Sequence, residues 1–415
     1  MASTPNVILF LLLVTITFVN VKTQILNNLL GNTIEGLLGS TKDFSLNFTE
    51  RSARFGFESD EHKVTTEDGY ILTFFRMKKK DCGKLNKTPV ILWHGLIHTA
   101  NHWLDAGPNA SLAYLLAGEC HDLWLGNDRG NYYSRAHVRL NPDKDSKFWD
   151  YSFDEIGRYD LPATIDYVLK YTGEDKVNFI GYSQGGATLL ILCSERPGYC
   201  DSKVNIFLGL APAVKISNMR STVLRVFLES LIQLKGILTT LGIHEVLAKG
   251  GATQDLIGLV CLLRPTASII CDAGAGSIDS FHPGSVTGET WQMVSRHTPA
   301  GTSLRNLLHY SQIFKTDKFQ KYDFGKARNL EIYGIEQPPT YNLANVTVPV
   351  VIIYGNNDYI IDENNVVFLK QELQNVLEAY KVTDPSWNHM DMAFSQYINP
   401  MIFPKVNEYL KYNKQ

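Results

Sequence analysis

A serine between two glycines, Gly181-Tyr182-Ser183-Gln184-Gly185, follows the apolar run Val177-Asn178-Phe179-Ile180 and leads into Gly186-Ala187-Thr188-Leu189-Leu190-Ile191-Leu192. Strand, G-x-S-x-G and helix in that order read as a nucleophile elbow. Its turn is too sharp for side chains at Gly181 and Gly185, and it lifts the Ser183 hydroxyl at the carboxyl edge of a sheet. A serine hydroxyl attacks only when a base takes its proton, so this chemistry requires a histidine and a group that orients the histidine. Where such an elbow is used the chain order is serine, acid, histidine. After the apolar run Val350-Val351-Ile352-Ile353-Tyr354, the turn Gly355-Asn356-Asn357-Asp358 puts Asp358 at the same sheet edge, with Asp362, further into a predicted helix, as second choice. Of the 11 histidines only His389 follows Asp358.

Attack on an acyl carbon creates a tetrahedral oxyanion, which needs two backbone N–H donors. One comes from the residue after the nucleophile, Gln184, and the other from a loop after an earlier strand. Trp93-His94-Gly95-Leu96 fits that loop, with Leu96 as donor, Gly95 permitting close approach and His94 as a structural loop residue. Hydrolysis by this set uses side chains and water, so neither metal nor organic cofactor is expected.

The elements that must position these groups are visible as patterns. Phe57–Val64 and Tyr70–Met77 alternate with period two around Asp68-Gly69 and predict a hairpin. Short apolar runs at Pro89–Trp93, His121–Leu125, Val177–Ile180 and Val204–Leu208, spaced by amphipathic segments such as Ser111–Ala117 and Leu161–Tyr171, predict a parallel sheet covered on both faces. The class is α/β. Val348–Tyr354 and Ala379–Val382 resume the sheet after a helical interruption over residues 216–342, read as a cap. The core then comprises residues 24–215 and 343–415. Val223–Leu234 and Leu256–Leu263 are apolar on more than one helical face, which suits a cap that meets lipid.

The chain of 415 residues is 44% hydrophobic and 20% charged, with a net charge of -3, and its longest basic run is Lys78-Lys79-Lys80. A nucleic-acid partner is not expected. The apolar run Val7–Val19 is too short to span a bilayer and ends at polar Asn20 and Lys22, so residues 1–23 read as a signal peptide cleaved before Gln24, with no transmembrane anchor. Sequons at Asn47, Asn86, Asn109 and Asn345 agree with the secretory route as glycosylation sites. The 6 cysteines suit local bridges in an oxidising compartment. The pairing of Cys82, Cys120, Cys193 and Cys200 stays open.

Over nearly all of its mature length the sequence resembles the animal acid lipases, the gastric, lingual and lysosomal enzymes and their insect relatives. The resemblance is carried by Trp93–Leu96, Leu123–Asn131, Phe148–Glu155, Tyr159–Ala163, Gly181–Gly185, Pro299–Ser303, Gly355–Asp358 and Asn388–Asp391. It implies an α/β-hydrolase fold, Ser183, Asp358 and His389 as the triad, Leu96 and Gln184 as oxyanion donors, and a Cys261–Cys271 cap disulfide. Two departures, Tyr182 where the family usually has histidine and Gly186 where it usually has threonine, are expected to line the entrance. Asn127–Asn131 is expected to be a hydrogen-bonded structural loop. The expected function is hydrolysis of neutral lipid esters, triacylglycerols or sterol esters, at a lipid–water interface, outside the cell or in the lysosome. The alternatives are a soluble carboxylesterase and a non-catalytic lipid-binding protein on the same fold.

Overall fold

Strands buried on both faces have no solvent side to show, and their sequences are correspondingly apolar throughout. β3 (Val90–Trp93), β4 (Leu123–Leu125), β5 (Val177–Tyr182) and β6 (Val204–Leu210) are buried at every residue. The outer hairpin, β1 (Phe57–Thr65) and β2 (Ile71–Lys79), is antiparallel, and β1 alternates between shielded and exposed positions as an edge strand does. Between β6 and the next strand of the main sheet, β7 (Glu245–Val246) and β8 (Thr302–Ser303) make a small antiparallel pair. β9 (Val350–Tyr354) and β10 (Val376–Lys381) complete the main sheet in the order β1-β2-β4-β3-β5-β6-β9-β10, parallel from β4 onward. The last strand begins at Val376, earlier than the apolar residues alone suggest, because it is only partly buried and tolerates Glu378.

The computed structural model describes residues 46–83, 85, 88–250 and 267–411. The expected signal peptide, most of the arm after Gln24, the sequon Asn86, the apolar stretch Leu256–Leu263 and Cys261 lie outside them, so the Cys261–Cys271 expectation does too. Among the described residues no helix is long and apolar enough to cross a membrane. Two disulfides lie among the described residues, Cys82–Cys120 and Cys193–Cys200. The first ties the end of β2 to the turn before β4, and the second closes the end of the elbow helix.

Helices flank the sheet where the sequence starts and stops them. Leu161–Thr172 carries Pro162 in its first turn, where a missing N–H costs nothing, and ends at Gly173 with φ 72°, a left-handed cap. The elbow helix Gln184–Glu195 runs between sheet and neighbouring helices and is buried from Gln184 to Ser194. After β6 the chain leaves the sheet, and it returns at β9, which pairs directly with β6. In between stand the helices Thr222–Thr240, Ala267–Ile278, Gly288–His297, Leu304–Thr316 and Lys326–Tyr333. Ser221 caps the first by accepting the Leu224 N–H. This helix buries Leu228, Leu231 and Leu238, while Val223, Val226, Ile237 and Leu241 are exposed by 46, 41, 58 and 68%. At 3.6 residues per turn those four share one face.

Candidate active site

Ser183 sits between β5 and the elbow helix at φ 52°, ψ -115°, a strained conformation for a residue with a side chain. The turn is held from both sides: Ser183 N–H donates to Leu210 O at 2.9 Å, and its carbonyl accepts from Ala213 N at 3.1 Å. The flanking glycines are required by contact. A Cβ at Gly181 would lie 2.7 Å from the Gly185 carbonyl oxygen, and one at Gly185 would lie 2.5 Å from the Trp93 carbonyl oxygen.

The sheet edge brings the sequence candidates together. His389 Nε2 lies 2.9 Å from Ser183 Oγ, and Nδ1 lies 2.8 Å from Asp358 Oδ2. A carboxylate only accepts, so Nδ1 carries the proton and Nε2 is free to accept from the serine hydroxyl. The other oxygen of Asp358 accepts the N–H groups of Ile360 at 2.9 Å and Ile361 at 2.6 Å, which fixes the carboxylate. Asp362 is elsewhere, capping the helix Glu363–Glu372 through the Asn364 N–H. Burial works to lower the basicity of His389, but the charge and hydrogen bond of Asp358, helped by the charge of Asp279, outweigh it and hold the imidazole above its ordinary value. Such a chain can take a proton from Ser183 and return it to a leaving group.

Gly95 brings the β3 loop against the elbow, where a Cβ would stand 3.0 Å from the Tyr182 ring and 3.2 Å from Ser183 Cβ. Among the described residues no backbone hydrogen bond engages the N–H of Leu96 or of Gln184. The Gln184 side chain, for which the sequence reading had no role, is fixed at both ends. Its Nε2 donates to Asp128 Oδ2 at 2.8 Å and its Oε1 accepts from Asn306 Nδ2 at 3.0 Å. Asp128 also accepts the Trp93 indole N–H at 2.6 Å, and burial pushes its carboxyl up to about 7. His94 donates from Nδ1 to Gly95 O at 2.8 Å and accepts the Asp128 N–H at Nε2. Burial lowers its pKa to about 4, so it stays neutral as a loop brace. Arg129 binds Asp160 and Asp68, and Asn127 binds Ala100 N and Thr73 O, so Asn127–Asn131 is a hydrogen-bonded loop.

Two family models match the chain, the partial alpha/beta-hydrolase lipase region over residues 48–107 and the alpha/beta hydrolase fold over residues 88–229. Lipase 1 of Drosophila melanogaster is 35% identical over 89% of this chain and 80% of its own length. The gastric triacylglycerol lipase of Bos taurus is 33% identical over 87% of this chain and 90% of its own. The lysosomal acid lipase/cholesteryl ester hydrolase of Macaca fascicularis is 32% identical over 84 and 87%. The chain belongs to the animal acid lipase family. It is a carboxylic ester hydrolase, which sets aside the binding-only alternative. A solved structure from Sulfolobus solfataricus superposes with a TM-score of 0.57 at 12% identity, covering 86% of this chain and 94% of that one, a likeness of fold alone.

As an acid lipase the chain departs from the expected pattern in a way the sequence misplaced. Tyr182 and Gly186 do not line an entrance. Tyr182 is buried, donates its hydroxyl to the His389 carbonyl at 3.1 Å and lies with its ring 5.1 Å from the imidazole. Gly186 faces Pro212, whose Cβ would be 2.7 Å from an added methyl group, so threonine does not fit there. Of the sequons in this acid lipase, Asn47 and Asn109 are exposed. Asn345 is half-buried and donates its Nδ2, the atom a glycan would occupy, to Ser194 O at 3.0 Å.

Proposed function

We propose that this enzyme is a lipase that hydrolyses neutral lipid esters, triacylglycerols or sterol esters, through Ser183, His389 and Asp358, outside the cell or in the lysosome. Ser183 Oγ attacks the ester carbonyl carbon while its proton passes to His389 Nε2. Leu96 and Gln184 donate their N–H groups to the resulting oxyanion. Collapse breaks the carbon–oxygen ester bond, and His389 returns the proton to the departing alkoxide. Water, giving its proton to His389, then attacks the acyl-enzyme, releasing the fatty acid and restoring Ser183. The observation that carries this reading is the unbroken hydrogen-bonded line from a strained serine through His389 to Asp358.

Ser183 is only 9% exposed, so the approach to it is narrow. Residues 216–342 act as a cap, part of which swings aside at a lipid surface and presents the stripe Val223, Val226, Ile237 and Leu241 to acyl chains. Placement outside the cell or in the lysosome is favoured by the Val7–Val19 run, the sequons and the two disulfides.

The test is hydrolysis of triacylglycerol and cholesteryl ester emulsions, and of a dissolved short-chain ester, by the wild type and Ser183→Ala. The variant should lose about 10⁶-fold in turnover on all three. Wild-type rates should jump once a substrate passes its solubility limit. A Ser183→Ala enzyme within tenfold of wild type would remove the serine from the mechanism, and a smooth curve through the solubility limit favours the soluble carboxylesterase.

A further inference from the structure

The carboxylate of Asp279 has no step in the reaction above, yet it is buried to 2% exposure beside the residues that do. It follows the cap helix Ala267–Ile278. Its Oδ1 accepts the Tyr359 N–H at 2.9 Å and its Oδ2 accepts the Met390 N–H at 3.1 Å. Tyr359 follows Asp358 and Met390 follows His389. One cap carboxylate therefore grips the acid turn with one oxygen and the histidine turn with the other.

We propose that Asp279 is a positioning residue, a second carboxylate that fixes the Asp358 turn against the His389 turn and places a negative charge behind the imidazole. The proposal rests on the triad reading above. Burying a carboxylate is costly unless its oxygens are hydrogen-bonded, and here both are taken by backbone donors belonging to the two turns that must stay in register.

The neighbouring residues reinforce the same joint. Ser280 Oγ donates to Asn357 O at 2.5 Å, and Asn388 Nδ2 donates to Ser280 O at 2.9 Å. From the other end of the cap, the N–H groups of Arg220 and Ser221 donate to Tyr359 O at 2.8 and 3.1 Å, and the Arg220 guanidinium donates to Asp358 O at 2.8 Å. The acid turn is thus held by the cap from both ends. An amide in place of Asp279 keeps one acceptor and turns its NH₂ toward a backbone N–H, so one of the two turns loses its anchor.

Charge gives the proposal a readout that packing alone does not move. The groups around the imidazole are Asp358 on the acid turn, Asp279 on the cap and, on the lower-pKa side, neutral His98 from the oxyanion loop, with Tyr182 on the elbow. Asp391 on the histidine turn is paired with His282, and Arg220 lies on the acid turn carbonyl. Burial, then the charge of Asp358, push the Asp279 carboxyl up to about 7, so the charge it lends the imidazole is present from about neutral pH upward. Removing the Asp279 charge leaves burial less opposed at His389, so the imidazole should titrate at lower pH.

The experiment measures kcat and KM on a dissolved short-chain ester from about pH 4 to pH 8 for the full chain carrying Asp279→Asn or Asp279→Glu. Asp279→Asn should lose about 10- to 100-fold in kcat with KM nearly unchanged, while the acid limb of kcat/KM moves to lower pH by roughly half to one unit. Asp279→Glu keeps the charge and misplaces the oxygens, so its limb should stay while kcat falls. An Asp279→Asn limb that coincides with wild type overturns the proposal whatever the rate. If that variant does not fold, a wild-type kcat for Asp279→Glu overturns it, and a loss of about tenfold or more per active site with an unmoved limb supports it. Ser183→Ala in parallel separates the two readings, because a normal Asp279→Asn profile beside an inactive Ser183→Ala leaves the triad standing.

Discussion

The sheet and the cap are built from similar apolar residues and use them differently. In β3, β5, β6 and β9 each such residue is buried, and the strands have no freedom to tilt without opening the core. The cap helix Thr222–Thr240 buries Leu228, Leu231 and Leu238 on one face and leaves Val223, Val226 and Ile237 on another. Water gives the second face no reason to be apolar, whereas an acyl chain does. Yet the cap is not uniformly free, since the segment from Asp279 to Ser285 is tied to the acid and histidine turns. Geometry thus belongs to the sheet and to the segment tied to it, while the exposed apolar face is the part that the proposed function sets against lipid.

The comparison breaks most sharply at the acid. Asp358→Asn should cost about 10⁴-fold in turnover on every substrate, because the imidazole then loses the partner that sets its tautomer, while Asp362→Asn should remain close to wild type. Kinetics on a dissolved ester decide this, and the opposite ranking would move the acid into the helix cap. A smaller and more selective effect is expected on the cap. Val226→Lys combined with Ile237→Lys should lower rates on emulsions by about tenfold, the loss expected when two apolar contacts with lipid are removed, and leave a dissolved ester nearly untouched. Equal losses on both would mean that the stripe serves packing instead.

The mildest effect sharpens the distinction within the cap. His282 Nδ1 lies 2.7 Å from Asp391 Oδ2, and that hydrogen bond, against burial and with the charges of Asp391 and Asp384, raises its pKa above 6.5. A raised folded pKa adds stability that is complete below the unfolded value and is lost as pH climbs through the folded one. His94, His98 and His309 act oppositely, since burial holds them near 4, 3 and 3 and each withdraws stability as pH falls below 6.5. The thermal midpoint gap between wild type and His282→Gln isolates the first effect. It should be widest in acid and close toward pH 8, and a gap independent of pH would separate the clamp from titration of His282.

Much of this site could be read from order alone. Ser183, Asp358 and His389 are chemically distinctive, each follows a strand, and no other histidine comes after the acid. The cysteine pairs could not be read, because Cys82 and Cys120 are joined across the end of a sheet whose strand order is not sequential. Asp279 was invisible for a similar reason. It sits among small residues in Cys271–Ser280 with no periodicity to mark it, and its partners are 80 and 111 residues away. Gln184 was legible as a backbone donor but not as a side chain, since its partners Asp128 and Asn306 come from opposite sides of it in the chain. Tyr182 is buried, not at an entrance, because the sharp turn at Ser183 directs the preceding side chain inward, where composition gives no sign of it.

The hydrogen bond between Ser183 and His389 joins residues 206 positions apart. A ribosome extending a chain at about 5–20 residues per second makes the nucleophile roughly 10–40 s before its base. On the mechanism proposed above, the serine is for that interval an alcohol with no one to take its proton, and a chain interrupted between the elbow and the last strand would never acquire the power to cut an ester. That mechanism reserves hydrolysis for molecules whose synthesis has run through the second half of the sheet.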